Sequence, residues 1–225
     1  MTPLAIQALK AGPHTVEAVD GFLRAHAFPL VEGPSITFVY RGEAEAIHLK
    51  HWVFGLPSSQ QLARLEGTDL WYLTLELPAG SRVEYKLEVV RNGHGEWIQD
   101  PLNSNKARDP FGANSVAHGE GYEIPTWIHP DPQSKPGKID ELSFDSPTFG
   151  RRGVGLYVPA RFRTTRRYPL LVVHDGHDYM RYASLGAVLD NLMHRLEIPE
   201  IIVALTSSDE VNMVACHVAH TLFNV

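Results

Sequence analysis

The hydrophobic pattern of this chain shifts from alternating to unbroken apolar runs part-way along, and that shift decides what the chain can fold into. From Ser35 to about Val90 the apolar residues alternate: Ile36, Phe38 and Tyr40, then Ile47 and Leu49, then Trp71, Leu73, Leu75 and Leu77, then Tyr85, Leu87 and Val89. Alternation puts every second side chain on one face of a strand, so short alternating runs separated by Gly, Pro and Asn turns predict an antiparallel β-sandwich. Further on, Leu170–Val173 and residues 201–205 are unbroken apolar runs rich in β-branched residues. Such runs predict strands covered on both faces, as in parallel sheets. Between them Leu185, Val188, Leu189, Leu192, Met193 and Leu196 recur at spacings of three and four, and Pro199 closes the helix they predict. Strand, helix and strand within about 35 residues read as a right-handed βαβ crossover. An earlier strand, alternating at Val154, Leu156 and Val158, is expected to be less buried.

The two grammars meet in a stretch rich in Gly, Pro, Asn and Asp that ends in PDPQSKPGK, with three prolines in nine residues. This predicts a domain boundary. The expected division is an N-terminal helical segment over 1–29, a β-sandwich over 30–128, a linker over 129–137 and a second domain over 138–225. Within the first segment, Pro13 precedes Val16, Val19, Leu23 and Ala27 at helical spacing, predicting a short helix within 13–28.

Charge and composition remove several function classes. A formal charge of −6 supplies no field for phosphate backbones or anionic membranes, so neither nucleic acid nor a membrane is an expected partner. No window has the roughly 20 apolar residues of a spanning helix. The single cysteine, Cys216, excludes an internal disulfide, and no basic-then-apolar leader opens the chain, so cytoplasmic residence is expected.

Three segments together carry a resemblance: RRGVGLYVPARF, then RRYPLLVVHDGHDYMRYASLGAVLDNL, then IPEIIVALT. They resemble the esterase family of α/β hydrolases, in particular its enterochelin (ferric enterobactin) esterase group. Members carry an early-set, immunoglobulin-like domain ahead of the hydrolase, and YKLEVVRNGHGEWIQDPLNSNKARDPFGANSV looks like the end of one. The resemblance spans about residues 30 to 206. It implies a two-domain fold, an antiparallel immunoglobulin-like sandwich followed by the first part of a parallel α/β-hydrolase sheet in three α/β/α layers. It also implies hydrolysis of a small-molecule carboxylic ester, such as a ferric siderophore, by a serine nucleophile with an acid and a histidine and without a cofactor.

What the chain offers that chemistry is a turn. His174-Asp175-Gly176-His177 leaves the C-terminal end of the Leu170–Val173 strand, the end where open α/β sheets bind ligands. The backbone N–H groups of Gly176 and His177 are the oxyanion-hole candidates, and Asp175, Asp178, Tyr179, Trp97 and Trp127 the substrate-binding candidates. Trp52, Trp71, Trp97 and Trp127 are the rings that could stack on a sugar ring or a catecholate; Trp71 alternates with core positions and is expected inside, whereas Trp97 and Trp127 are expected in loops.

No Gly-x-Ser-x-Gly elbow occurs anywhere in the sequence. Gly112-Ala113-Asn114-Ser115 has the wrong spacing, and Ser184 reads as a helix cap. In the family the nucleophile follows the strand matching residues 201–205 by a loop and a helix. The chain is therefore expected to stop short of its triad, to be inactive, and to have a marginally stable second half with an unpaired sheet edge. The terminal SSDEVNMVACHVAHTLFNV departs from the family pattern, as a frameshift or premature stop would make it. His174, Asp175, His177 and Asp178 crowd four potential metal ligands into five residues, but no second cluster completes a site, and no metal is expected. Cys216 with His217 and His220 reads as an incidental thiol. The alternative to an esterase-family chain is a ligand- or glycan-binding β-sandwich without catalysis. A third reading has a partner chain complete the sheet and supply the nucleophile.

Overall fold

The computed structural model describes residues 3–146 and 150–206. The chain divides into two compact units, 1–124 and 125–225.

The first unit opens with helices α1 (Ala5–Ala11) and α2 (Val16–Ala25), the latter capped by the Thr15 side chain, which accepts from the Ala18 N–H. Ten strands follow: β1 (Leu30–Glu32), β2 (Ser35–Arg41), β3 (Ala46–His51), β4 (Ser59–Gln61), β5 (Ala63–Arg64), β6 (Leu70–Glu76), β7 (Arg82–Arg91), β8 (His94–Ile98), β9 (Lys106–Asp109) and β10 (Gly112–His118). They form two antiparallel sheets, ordered β1-β2-β6-β5 and β4-β3-β7-β10-β9, with β8 also paired to β7. The alternating residues face each other as the sequence predicts: Ile36, Phe38, Tyr40 and Trp71 from one sheet meet Ile47, Leu49, Tyr85, Leu87 and Val89 from the other. Phe38 and Tyr85 pack edge to face with centroids 4.8 Å apart.

Strand β2 is buried on its second face as well. Val39 joins Leu70 and Leu65 against Ile6, Val19, Phe22 and Phe28 of the N-terminal segment. The N-terminal helices thus cover the outer face of the smaller sheet. Arg41 ties them down, its guanidinium bridging Asp20 of α2 and Asp69.

The run from Gln99 to Asn105 is fastened to the sandwich by buried polar groups. The Tyr85 hydroxyl donates to Asp100 Oδ2 (2.6 Å) and accepts from Asn103 Nδ2 (3.0 Å), which also donates to the Val116 carbonyl (2.8 Å). Asp100 Oδ1 accepts from the Leu102 N–H (2.8 Å). Burial pushes both the Tyr85 phenol and the Asp100 carboxyl upward.

The second unit contains a 3-10 turn (Thr126–Ile128), β11 (Lys138–Ser146), β12 (Gly150–Val158), β13 (Leu170–Val173), α3 (Gly176–Tyr182), α4 (Leu185–His194) and β14 (Ile202–Leu205). Its sheet runs β11-β12-β14-β13 and is mixed: β11–β12 and β12–β14 are antiparallel, and only β13–β14 is parallel. Met180 of α3 and Leu185, Leu189 and Met193 of α4 pack with Tyr157, Val203 and Leu205, so both helices cover one face. The Pro-rich stretch belongs to this unit. Asn191 of α4, fully buried, donates to the carbonyls of Trp127 (2.8 Å) and His129 (2.7 Å), and Asp190 accepts from the Gly137 N–H (2.7 Å).

Three expectations need correction. Strand β13 is not covered on both faces: among the described residues it ends the sheet, and Leu171 is exposed, whereas β14 lies inside and is buried throughout. The strand expected to be less buried, β12, is buried from Val154 to Val158 because it pairs on both sides. Leu196 is not on the helix. Helix α4 ends at His194, and Leu196 stands beyond it at φ +59 and 87% exposed, where the Glu197 and Ile198 N–H groups turn back to the Leu192 carbonyl.

Candidate functional site

The predicted site turn lies where β13 and β14 end side by side. The ladder between them continues past the strands: the Thr206 N–H donates to the Val173 carbonyl (3.0 Å) and the Gly176 N–H to the Thr206 carbonyl (2.9 Å). Asp175 makes the intervening turn in the left-handed region (φ +52), which Asp tolerates better than most residues. Gly176 must be glycine for a different reason. A Cβ there would lie 2.6 Å from Leu205 Cα, so α3 starts directly on the backbone of β14.

These contacts sort the oxyanion candidates. The Gly176 N–H is committed to the sheet through Thr206 and is not free to receive a developing negative charge. The Asp178 and Tyr179 N–H groups both donate to the Asp175 carbonyl (2.9 and 3.2 Å). His177 N–H remains the first-turn donor without an acceptor among the described residues, as helix geometry leaves it. Its imidazole reaches over β12, where its Cε1 would stand 3.1 Å from a Cβ added at Gly155.

Of the predicted binding residues, Asp175, Asp178 and Tyr179 cluster here, with Asp175 exposed, Asp178 half-buried and Tyr179 52% exposed. Trp127 lies in the 3-10 turn of the same unit, its carbonyl held by Asn191. Trp97 belongs to the other unit and is on strand β8 rather than in a loop; it pairs with Glu88 of β7 and stays half-exposed. Trp71 is in the sandwich core and donates its indole N–H to the Gly42 carbonyl (3.1 Å). Ser184 occupies the N-cap position of α4, but at φ +55 its side chain makes no cap bond, a departure from the capping role expected. Ser115, in the imitation elbow, is fully buried and accepts from the Asp100 N–H (2.8 Å). Cys216, His217 and His220, with the rest of 207–225, lie outside the described residues.

A hollow of about 390 Å³ in the second unit is at the other end of the parallel strands. Pro199 and Glu200, just before β14, line it with Tyr157, Asp190, Arg161 and Arg166. The Tyr157 hydroxyl donates to Asp190 Oδ1 (2.6 Å), and Arg166 pairs with Glu200 (2.6 Å). Sequence periodicity has no means of finding this hollow, since its walls come from the end of β12, the end of α4 and the Pro-rich stretch. Among the described residues no three His, Cys, Asp or Glu side chains are arranged to hold a metal. No helix there is long and apolar enough to cross a membrane.

Residues 35–127 match the family described as enterochelin esterase, N-terminal. Among solved structures, the chain is similar to the enterobactin esterase of Shigella flexneri determined in the presence of enterobactin (23% identity, TM-score 0.54), covering 78% of this chain and 52% of that one. It is also similar to the ferric enterobactin esterase of Salmonella typhimurium (19% identity, TM-score 0.60), over 84% of this chain and 59% of that one. The chain thus spans between half and three-fifths of the solved proteins it matches. No curated protein sequence matches it.

Proposed function

We propose that this enterochelin esterase-like family member joins an early-set sandwich to the opening strands of an α/β-hydrolase domain, and that the 225-residue chain alone does not cleave esters. The observation that carries the first statement is the parallel β13–β14 pair joined through α3 and α4, with a polar, solvent-open turn at its C-terminal end. That is the end where α/β sheets gather their chemistry. The edge of β13, unpaired among the described residues, is where a further strand would pair, and helices against the face opposite α3 and α4 would make the third layer.

The second statement rests on serine chemistry. A hydroxyl becomes a nucleophile when held on a strained strand-to-helix turn beside a general base, and no Gly-x-Ser-x-Gly segment is present in these 225 residues to build that turn. Ser115 is buried in a hydrogen-bonded network and Ser184 is a helix-start residue, so neither substitutes. Completed by a nucleophile, acid and histidine, the fold would act on a carboxylic ester, and a ferric siderophore of the kind named for the solved relatives is the substrate class we favour, with cytoplasmic residence. In that setting the His177 N–H is the oxyanion donor this chain contributes, with Asp178 and Tyr179 beside the substrate.

The test is hydrolysis of p-nitrophenyl butyrate by the purified chain. The expected rate equals that of buffer with heat-denatured protein. Turnover that scales with protein and disappears in one serine-to-alanine variant would overturn the proposal.

A further inference from the structure

The sandwich unit carries a feature that the esterase reading does not use. Where β3 ends, the loop from Trp52 to Ser58 stands against strand β8, and Lys50, His51, Trp52, Ser58, Ser59 and Trp97 surround an open hollow of about 120 Å³. Trp52 is 68% exposed and Trp97 50% exposed. Two large apolar rings left in water around one hollow are a cost that a merely structural surface has no reason to keep.

The Trp97 ring is also held in place. The Trp97 indole N–H donates to Glu88 Oε1 (3.1 Å), and the Lys50 ammonium sits 5.5 Å from its ring centroid. Lys50 in turn pairs with Glu88 Oε2 (2.8 Å) and donates to Ser59 Oγ (2.8 Å). The base of the Trp52 loop is fixed by buried His51, whose Nδ1 accepts from the Val53 N–H (3.1 Å) and whose Nε2 meets the Gln60 amide (3.0 Å). A ring prearranged in this way, as Trp97 is, loses little freedom on binding.

We infer that this hollow is a binding subsite for a neutral, hydroxylated six-membered ring, that is, one sugar unit of an oligosaccharide. The volume suits one ring and not a whole drug-sized ligand, whose pockets run to roughly 300 Å³ and above. Indole faces meet the flat C–H face of such a ring, while the Ser58 and Ser59 hydroxyls and the Lys50 ammonium offer partners to its hydroxyl rim. Charge selects the class. Lys50 is neutralised by Glu88, so an anionic aromatic gains no unpaired cation here. This inference does not rest on the esterase reading, and its readout is binding without ester cleavage.

The experiment titrates the full chain with maltohexaose, cellohexaose, xylohexaose and 2,3-dihydroxybenzoate, followed by indole fluorescence and calorimetry. At least one neutral hexaose is expected to bind saturably, with Trp97→Ala and Trp52→Ala each weakening it by about tenfold or more. Phe111→Ala, an exposed aromatic on the β9–β10 turn, leaves it unchanged. Far-ultraviolet dichroism verifies each variant's fold, and Trp52, on a loop, stands in if the Trp97 variant does not fold. Absence of saturable binding by every hexaose, binding that survives both substitutions, or binding of dihydroxybenzoate alone would each overturn the assignment.

Discussion

Replacing Tyr85 with phenylalanine removes a single hydroxyl from the interior of the sandwich and leaves its volume almost unchanged. The hydroxyl donates to Asp100 at 2.6 Å and receives Asn103 at 3.0 Å, all three residues being buried. Asn103 keeps its bond to Val116, so the main loss falls on the carboxylate, for which a hydrogen bond is worth about 1.5–3 kcal/mol. That loss depends on pH. Burial already lifts the Asp100 pKa above its ordinary 3.8, and the Tyr85 hydroxyl holds part of the rise back. Without it the folded pKa climbs further, so between 3.8 and the raised value the folded state binds more protons than the unfolded chain. Stability is then whole below 3.8 and declines as pH rises through the folded pKa. The expected cost of Tyr85→Phe is about 2 kcal/mol near pH 8 and less than about 1 kcal/mol near pH 4. Urea denaturation followed by the emission of buried Trp71 measures it. A cost below about 0.5 kcal/mol, or an equal cost at both pH values, refutes the reasoning.

Two further substitutions probe the second unit. Gly176→Ala pushes a methyl group into the β14 backbone, at a cost of about 1–3 kcal/mol, and weakens the bond from the residue-176 N–H to the Thr206 carbonyl; amide exchange at residue 176 should accelerate by an order of magnitude or more, and unchanged protection would contradict the packing described. Asn191→Ala strips two hydrogen bonds from the Trp127 and His129 carbonyls and should cost about 1–3 kcal/mol, read as a Tm several degrees lower; an unshifted Tm would mean that the 3-10 turn is not anchored by this side chain.

The sandwich was legible because its facing strands alternate, so Ile36, Phe38, Tyr85 and Leu87 announce their own side of the sheet. The second face of β2 was not, because Val39 is buried by helices whose packing no strand periodicity encodes, and α1 is too short to show a helical period. In the second unit, apolar runs marked the strands but not their rank: LLVV and IVAL look alike, yet one ends the sheet and the other lies inside it. Sequence pointed to the turn at Asp175–Tyr179 but could not reveal that the Gly176 N–H is spent on Thr206, a contact set by register. Trp52 and Trp97 were singled out as aromatics able to stack on a ring, whereas their companions Lys50 and Ser59 emerge only from the pairing of β3 with β4 and of β7 with β8.

The central claim, an esterase-family chain without a nucleophile of its own, is tested most directly by incubating the purified protein with a fluorophosphonate and weighing it intact. The account predicts no mass increase over the untreated chain. A stoichiometric adduct that maps to one serine would contradict it.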